Sequence, residues 1–185
     1  MKRSFLLITL ALTLIAFGAN AQKFPGLDPS PMDVAFFPGN SANAEFNGPR
    51  VKAKIKLYYS RPQLKGRALS ELIPNDKAWR FGANEASEIT FYQDVTVGNS
   101  KVNAGTYAVF AEVKDGEWTF SLHSKLNTWG NFLMDGNKEI ASVGGVASTN
   151  SETVEALSVI FKEVEGGAHL VVGWGTVIAE MPIKF

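Results

Sequence analysis

The sequence predicts an all-β fold: a single-domain antiparallel β-sandwich, or a partly open barrel, with at most one short helix near residues 67–73. Three observations favour this class. Residues 51–61 alternate strictly along the chain, the dipeptide Asp115-Gly116 lies between two apolar runs, and turn residues recur at short intervals from residue 88 onward. The pattern gives about ten short β segments and almost no helical spacing of apolar residues.

The clearest strand is "VKAKIKLYYSR", residues 51–61. Its odd positions predict a core-facing side, whereas its even positions predict a lysine-lined face in water: Lys52, Lys54 and Lys56. The earlier run "MDVAFF", residues 32–37, predicts a short first strand. Pro31 and Pro38 restrict that strand to an edge of the sheet or place the prolines at its ends.

Helical spacing is limited to "RALSELIP", residues 67–74, where a proline stops it after one or two turns. Two hairpins follow later in the chain. The first joins residues 106–113 to 117–123 through "KDGE", and the second joins 154–164 to 169–181 through "EGGA". Because each hairpin pairs neighbouring strands, we expect antiparallel sheets.

The first residues have the pattern of a cleaved export signal. Lys2 and Arg3 precede the uncharged apolar run 5–17, and Ala19 and Ala21 occupy the small-residue positions that a signal peptidase accepts. The apolar run is too short to span a bilayer, which takes about 20 residues. We therefore expect cleavage after Ala21 and a mature protein in the periplasm or outside the cell.

Cleavage there divides the chain into a signal peptide (1–21), an extended lead-in (22–30) and a β-sandwich domain (31–185), with no second membrane segment. The chain has 18 basic and 18 acidic residues, so losing Lys2 and Arg3 leaves a net charge of −2. Such a protein lacks the basic surface that nucleic-acid binders need. The absence of cysteine excludes disulfides, zinc–thiolate sites, haem attachment and cysteine nucleophiles.

The sequence has few candidates for metal-binding or catalytic residues. His123 and His169 have no ligand spacing, so we expect them at the surface or at strand ends, and we expect neither a metal site nor a cofactor. The sequence has no G-x-S-x-G nucleophile elbow and no glycine-rich phosphate loop between a strand and a helix. These patterns assign no catalytic residue. Glu85 is the one candidate, as a carboxylate for acid–base chemistry on carbohydrate.

The segment "WRFGANEASEITF", residues 79–91, concentrates charged and aromatic side chains. Its second half reads as a strand, and stepping back by twos from the apolar face places Glu85 on the interior side. The same alternation in the earlier strand places Arg61 on the interior side. Because buried charges need partners, we predict that Arg61 and Glu85 form a polar network at one end of the sandwich, joined by Arg80 or Asn84.

Two interpretations of that network stay open. It is either a structural clasp that fixes the crossover between residues 61 and 88, or the floor of a cleft in which an arginine holds a carboxylate or sugar hydroxyls. Exposed tryptophans would suit a sugar platform, and the candidates are Trp79, Trp129 and Trp174. Six residues would surround the ligand in the cleft interpretation: Tyr59, Arg61, Trp79, Arg80, Asn84 and Glu85.

The leading functional hypothesis is binding rather than catalysis, with a small molecule, a glycan or a partner of the cell envelope as ligand. The alternatives are a carbohydrate-active hydrolase that uses Glu85 as acid or base, and a structural or assembly role through sheet edges. A second carboxylate about 5–10 Å from Glu85 in a pocket would favour the hydrolase. An exposed tryptophan beside a cleft would favour binding, and the oligomeric state stays open.

Several motifs occur in a fixed order: "YYSRPQLKGR" (58–67), "WRFGANEASEITF" (79–91), "AGTYAVF" (104–110) and "LVVGWGTV" (170–177). Together they resemble domain of unknown function 2911 (DUF2911), a family of small exported bacterial proteins, over nearly the whole mature chain. The resemblance implies a secreted or periplasmic protein of this architecture and supplies no catalytic residue. It marks residues 59–62 and 79–86 as parts of the shared motif.

Overall fold

The computed structural model describes residues 22–41, 51–132 and 136–185. Within them the chain forms ten strands and one helix of four residues. In chain order the elements are β1 (Met32–Phe37), β2 (Ile55–Ser60), α1 (Leu69–Leu72), β3 (Ser87–Phe91), β4 (Val95–Val97), β5 (Ser100–Val102), β6 (Gly105–Lys114), β7 (Glu117–His123), β8 (Glu139–Gly144), β9 (Val146–Val164) and β10 (Gly167–Lys184). The predicted signal peptide, residues 1–21, lies outside the described residues.

The strands form two antiparallel sheets. The first has six strands in the order β1-β2-β3-β6-β7-β8, and the second has four in the order β5-β4-β10-β9. The prediction of an all-β antiparallel fold with one short helix is therefore confirmed. In the described ranges, no helix has the length and apolar character needed to cross a membrane.

The apolar core lies where the alternation of the strands predicts it. In β2 the odd positions are buried: Ile55, Leu57 and Tyr59. In β7 the even positions are buried: Trp118, Phe120 and Leu122. The two sheets bury these faces against each other, and their side chains form one continuous apolar cluster.

The strand β1 lies at the edge of the six-stranded sheet, as its flanking prolines predict. It runs beside β9, which is the edge of the four-stranded sheet. Side chains contribute to this contact, because the rings of Phe37 and Phe161 lie 6.3 Å apart between their centroids. The two sheets thus meet along these edges.

The hairpin of β9 and β10 is longer than predicted, and it bends sharply. Its register shifts on both sides of Gly175, whose φ angle is 61°. The strand β10 thereby doubles back on itself. The Phe185 N–H donates to the Gly166 carbonyl at 2.9 Å, and His169 Nδ1 lies 2.6 Å from Glu180 Oε2.

β6 extends beyond the end of β3, and the chain between α1 and β3 pairs with this part of β6 instead. The Asp76 N–H donates to the Val113 carbonyl at 2.8 Å, and Trp79 exchanges two backbone hydrogen bonds with Ala111 at 2.7 and 2.9 Å. These bonds hold α1 next to the β6–β7 turn, where it forms one wall of a cleft.

Candidate functional site

Residues 81–86 leave the sheet instead of extending β3, and we call this segment, with Arg80 and Ser87 at its two ends, the 80–87 excursion. The Ser87 N–H donates to the Arg80 carbonyl at 3.1 Å, which closes the neck of the excursion. Within it, Phe81 and Asn84 have positive φ angles of 57° and 62°. Side-chain alternation needs continuous extended backbone, so the alternation of β3 does not carry through these residues.

This break means that the predicted network of Arg61 and Glu85 is not formed. Glu85 is exposed, and its carboxylate has no hydrogen-bonded or ionic partner among the described residues. Arg61 donates three hydrogen bonds elsewhere: from Nε to the Leu157 carbonyl at 3.0 Å, from Nη1 to Asp33 at 3.0 Å and from Nη2 to Ser158 Oγ at 2.8 Å.

Arg61 fastens the edges of the two sheets, since Asp33 belongs to β1 and Ser158 to β9. Tyr59 lies beside it: the phenol oxygen accepts the Val159 N–H at 3.2 Å, and burial raises the pKa of Tyr59. A shallow cleft of about 700 Å³ includes both Tyr59 and Arg61 in its lining. Because the guanidinium is already paired and hydrogen-bonded across the two sheets, we interpret this group as a structural clasp.

Arg80 and Asn84 join the excursion to other loops. Arg80 donates to Asn131 Oδ1 from its backbone N–H and from Nη1, each at 3.0 Å. Its Nε is buried without a partner among the described residues, and this burial lowers the pKa of Arg80. Asn84 donates from Nδ2 to Asp28 at 3.0 Å, which ties the lead-in to the excursion.

Trp79 lies in the core and does not offer a face for ligand stacking, because it is 1% exposed. Its indole stacks on Trp174 at 5.9 Å and meets Trp118 edge to face at 6.4 Å. Its Nε1 donates to the Gly82 carbonyl at 3.1 Å, so its polar edge is satisfied. Of the three tryptophans proposed as a sugar platform, Trp79 and Trp174 are buried and Trp129 is exposed.

A cleft of about 380 Å³ opens between the two sheets above this tryptophan cluster. Its apolar side chains come from both sheets and from the α1 region: Leu69, Ile73, Val113, Trp118, Ala147 and Val177. Its polar side chains are neutral: Ser70, Asn75, Ser148 and Thr149. Inward of the cleft, packing around Leu157, Val172 and Trp174 leaves only a gap too narrow for a water molecule. Among the described residues, none that lines the cleft carries a charge.

Local structure at α1 orients the wall of the cleft. Glu71 Oε2 accepts the Ala68 N–H at 2.7 Å at the start of the helix, and the Ile73 N–H donates to the Leu69 carbonyl at 2.9 Å at its end. The single helical turn therefore places Leu69 and Ile73 on the side that faces Trp118.

Sequence reasoning did not anticipate the cleft. Its lining comes from four separate parts of the chain, and each part has ordinary core or turn residues. One sequence feature could have indicated the cleft: the segment "RALSELIP", an amphipathic turn in an otherwise all-β chain. Such a turn is too short to be stable alone, so it must pack against something.

His123 ends β7 as expected, but it is buried. Its Nε2 lies 3.0 Å from Ser121 Oγ and its Nδ1 lies 2.8 Å from Asn137 Nδ2. Because Asn137 Oδ1 accepts the Lys125 N–H at 3.1 Å, Asn137 Nδ2 donates to Nδ1 and the ring proton lies on Nε2. In this tautomer His123 donates to Ser121 and does not act as its base, so the set is structural.

The structure contains no metal-like cluster within its described ranges: no group of three or more His, Asp or Glu side chains is arranged to hold an ion. His169 and Lys162 both contact Glu180, at 2.6 and 3.3 Å. The hydrogen bond from His169 lowers the pKa of Glu180. Glu180 therefore joins His169 and Lys162 in a small, half-buried polar group.

Comparison with known proteins adds the family. No curated protein and no solved structure matches the chain. A family model matches residues 41–183, a range that contains the cleft and the 80–87 excursion. Because this range is well over half of the sequence, the chain belongs to the family described as "Protein of unknown function (DUF2911)".

Proposed function

We propose that this protein is an exported binding protein whose cleft takes a small, uncharged and largely apolar molecule. The observation that carries the proposal is the lining, which combines apolar walls from both sheets, Trp118 as an aromatic floor and neutral polar side chains. At about 380 Å³ the cleft falls in the range of small-molecule sites, roughly 300–1,000 Å³.

The neutral lining sets the chemistry of the ligand. A charged group that left water for this cleft would lose its hydration and find no opposite charge among the lining residues. Hydroxyl and amide groups of Asn75, Ser148 and Thr149 suit a ligand that has one or two hydroxyl or carbonyl groups. The apolar walls on either side suit a flat apolar body.

The two alternatives have less support. A glycosidase needs two carboxylates about 5–10 Å apart across the sugar, and the lining of the cleft contains no carboxylate. Glu85 lies outside that lining, on the 80–87 excursion. A purely structural role accounts for the clasp at Arg61 but not for an open apolar cleft above the tryptophan cluster.

Export to the periplasm or the cell exterior is part of the proposal, and the pattern of residues 1–21 supports it. The test is expression of the full chain in a bacterial host, followed by fractionation and N-terminal sequencing. The expected product begins at Gln22 and lies outside the cytoplasm. A cytoplasmic product that retains Met1 would contradict export.

Ligand chemistry is tested with a matched pair of fluorescent probes. Phenylnaphthylamine is neutral, and anilinonaphthalene sulfonate has the same aromatic body with an added sulfonate. We expect the neutral probe to bind the native protein in a saturable, one-to-one manner and the sulfonated probe to bind at least about tenfold more weakly, because it brings an unpaired charge. Equal affinity for the two probes would contradict the proposal.

Three variants locate the binding. Ala147→Phe places a ring at the mouth of the cleft and should abolish binding of the neutral probe, whereas Thr153→Phe adds the same ring at an exposed β9 position outside the lining and should not. Thr149→Lys adds a positive charge to the lining and should reverse the preference toward the sulfonated probe. Unchanged binding in Ala147→Phe would show that the probe binds elsewhere.

A further inference from the structure

Glu85 and Trp129 lie directly opposite each other in an isolated antiparallel bridge. Two backbone hydrogen bonds flank the pair: the Ala86 N–H donates to the Thr128 carbonyl and the Gly130 N–H donates to the Asn84 carbonyl, both at 2.9 Å. This is the non-hydrogen-bonded type of pair, in which the Cα atoms approach to about 4.5 Å and the side chains share one face. The two side chains therefore project from the same face of the bridge.

The indole of Trp129 is held outward on a fixed backbone. The side chain is 63% exposed, although burying a tryptophan is among the most favourable ways to remove apolar surface from water. The residues around it are tied down on both sides. The Asn127 N–H donates to Glu88 at 2.7 Å, and Asn131 accepts two hydrogen bonds from Arg80. A rigidly presented, exposed aromatic ring is typical of a recognition surface.

The two segments that form the bridge also carry hydrogen-bonding groups of both kinds. The Glu85 carboxylate accepts only, and it has no partner in the described parts of the chain. Both hydrogen bonds from Arg80 go to Asn131 Oδ1, which leaves the donor side of that amide for a ligand. An exposed indole with an acceptor and a donor on the same two segments suits a ligand ring that has C–H groups on its face and hydroxyls at its edge.

We infer that Glu85 and Trp129 form a second binding site, for a neutral saccharide built of pyranose rings with equatorial hydroxyls. The C–H face of such a ring stacks on the indole, and neighbouring hydroxyls donate to Glu85. The competing ligand class for a carboxylate beside an indole is an organic cation. The Arg80 guanidinium donates to Asn131, two residues from Trp129, and has no carboxylate partner among the described residues, so its positive charge disfavours a cation.

This site is independent of the cleft. The loop around Trp129 covers the outer face of the six-stranded sheet, where Leu126 packs with Ala86, Ala108 and Phe110 in an apolar cluster separate from the main core. The cleft opens on the inner face of that sheet, above Trp118. Occupancy of one site therefore requires no residue of the other.

The test uses intrinsic fluorescence of the mature protein with acrylamide as quencher. Of the four tryptophans, Trp79, Trp118 and Trp174 are at most 6% exposed, so quenching reports mainly on Trp129. We expect cellohexaose to protect the fluorescence in a saturable manner. Sorbitol has hydroxyls but no flat C–H face, and choline is a cation, so neither should protect.

Variants assign the contacts by calorimetric titration with cellohexaose. Trp129→Ala should abolish binding, Trp129→Phe should retain it weakly, and Glu85→Gln should weaken it about tenfold through loss of charged hydrogen bonds. Tyr92→Ala removes another exposed aromatic ring and should leave binding unchanged. Lack of protection by cellohexaose, protection by choline, or unchanged affinity in Trp129→Ala would each overturn the inference. Ala147→Phe should bind cellohexaose normally, which separates this site from the cleft.

Discussion

The indole of Trp79 stacks on that of Trp174, with ring centroids 5.9 Å apart and planes 17° from parallel. Trp174 lies inward of the cleft across a gap too narrow for a water molecule, so Trp79 supports the packing beneath the floor without touching a ligand. Trp79→Ala should lower the free energy of unfolding by about 3–5 kcal/mol. Trp79→Phe should cost less and leave a folded protein with weaker binding of phenylnaphthylamine. Urea unfolding and probe titration measure both effects, and full probe affinity in Trp79→Phe would contradict this role.

The Arg61 clasp should contribute more stability than its ion pair alone. Arg61→Ala removes three hydrogen bonds and leaves the Leu157 carbonyl without its donor, so we expect a loss of about 2 kcal/mol in the free energy of unfolding. Asp33→Asn removes only a half-exposed ion pair and should cost less than about 1 kcal/mol. Urea unfolding at one pH compares the two variants. Equal losses would mean that the ion pair alone carries the effect.

Acid should destabilise the protein through His123. Burial lowers the pKa of His123, and Glu139 opposes this only in part. The unfolded state therefore binds the proton more readily, so the contribution of His123 to stability is complete above its unfolded pKa of about 6.5 and is lost as pH falls through the folded pKa. Protonation at Nδ1 would also place two donors, Nδ1 and Asn137 Nδ2, against each other.

The measurement is the free energy of unfolding between about pH 7.5 and pH 5, in the wild type and in His123→Gln. The slope with pH should be smaller in the variant, since the variant lacks the titrating ring. Glu180 does not interfere, because the stability that comes from its lowered pKa is lost only as pH falls below the ordinary value of 4.5. Identical slopes in the two proteins would refute the assignment to His123.

The doubling back of β10 depends on a missing side chain at Gly167. A Cβ atom there would overlap the carbonyl oxygen of Ile183, which is backbone and has little room to move. Gly167→Ala should therefore destabilise the protein by about 1–3 kcal/mol. Gly144→Ala is the matched control, because a Cβ at that strand position meets no atom within 4 Å. Thermal unfolding compares them, and equal melting temperatures would show that the strand ends separate without cost.

Local patterns predicted the parts of this fold that local interactions decide. The alternation in β2 and β7 identified their buried faces, because each side chain on a strand points to the face opposite its neighbour's. The turn at Asp115-Gly116 identified the β6–β7 hairpin, because a tight turn fixes the register of the strands beside it. The short helix before Pro74 followed from the same kind of local reasoning.

The site required contacts that no local pattern encodes. The left-handed conformation of Phe81 is unusual for an aromatic residue, so the sequence did not indicate that the backbone just before β3 would leave the extended conformation. The alternation argument for Glu85 failed for that reason. The cleft depends on how α1 lies against the β6–β7 turn and β9, and the bend at Gly175 brings together residues that a straight strand would hold far apart.

The closed neck of the 80–87 excursion determines where the chain tolerates changes in length. The hydrogen bond between Arg80 and Ser87 fixes both ends of the segment, so an extra residue inside it leaves the register of β3 against β6 unchanged. One extra residue within β3 would instead turn Ile89 and Phe91 out of the core. A residue inserted inside the excursion should therefore alter the surface around Trp129 while the pairing of β3 with β6 stays the same.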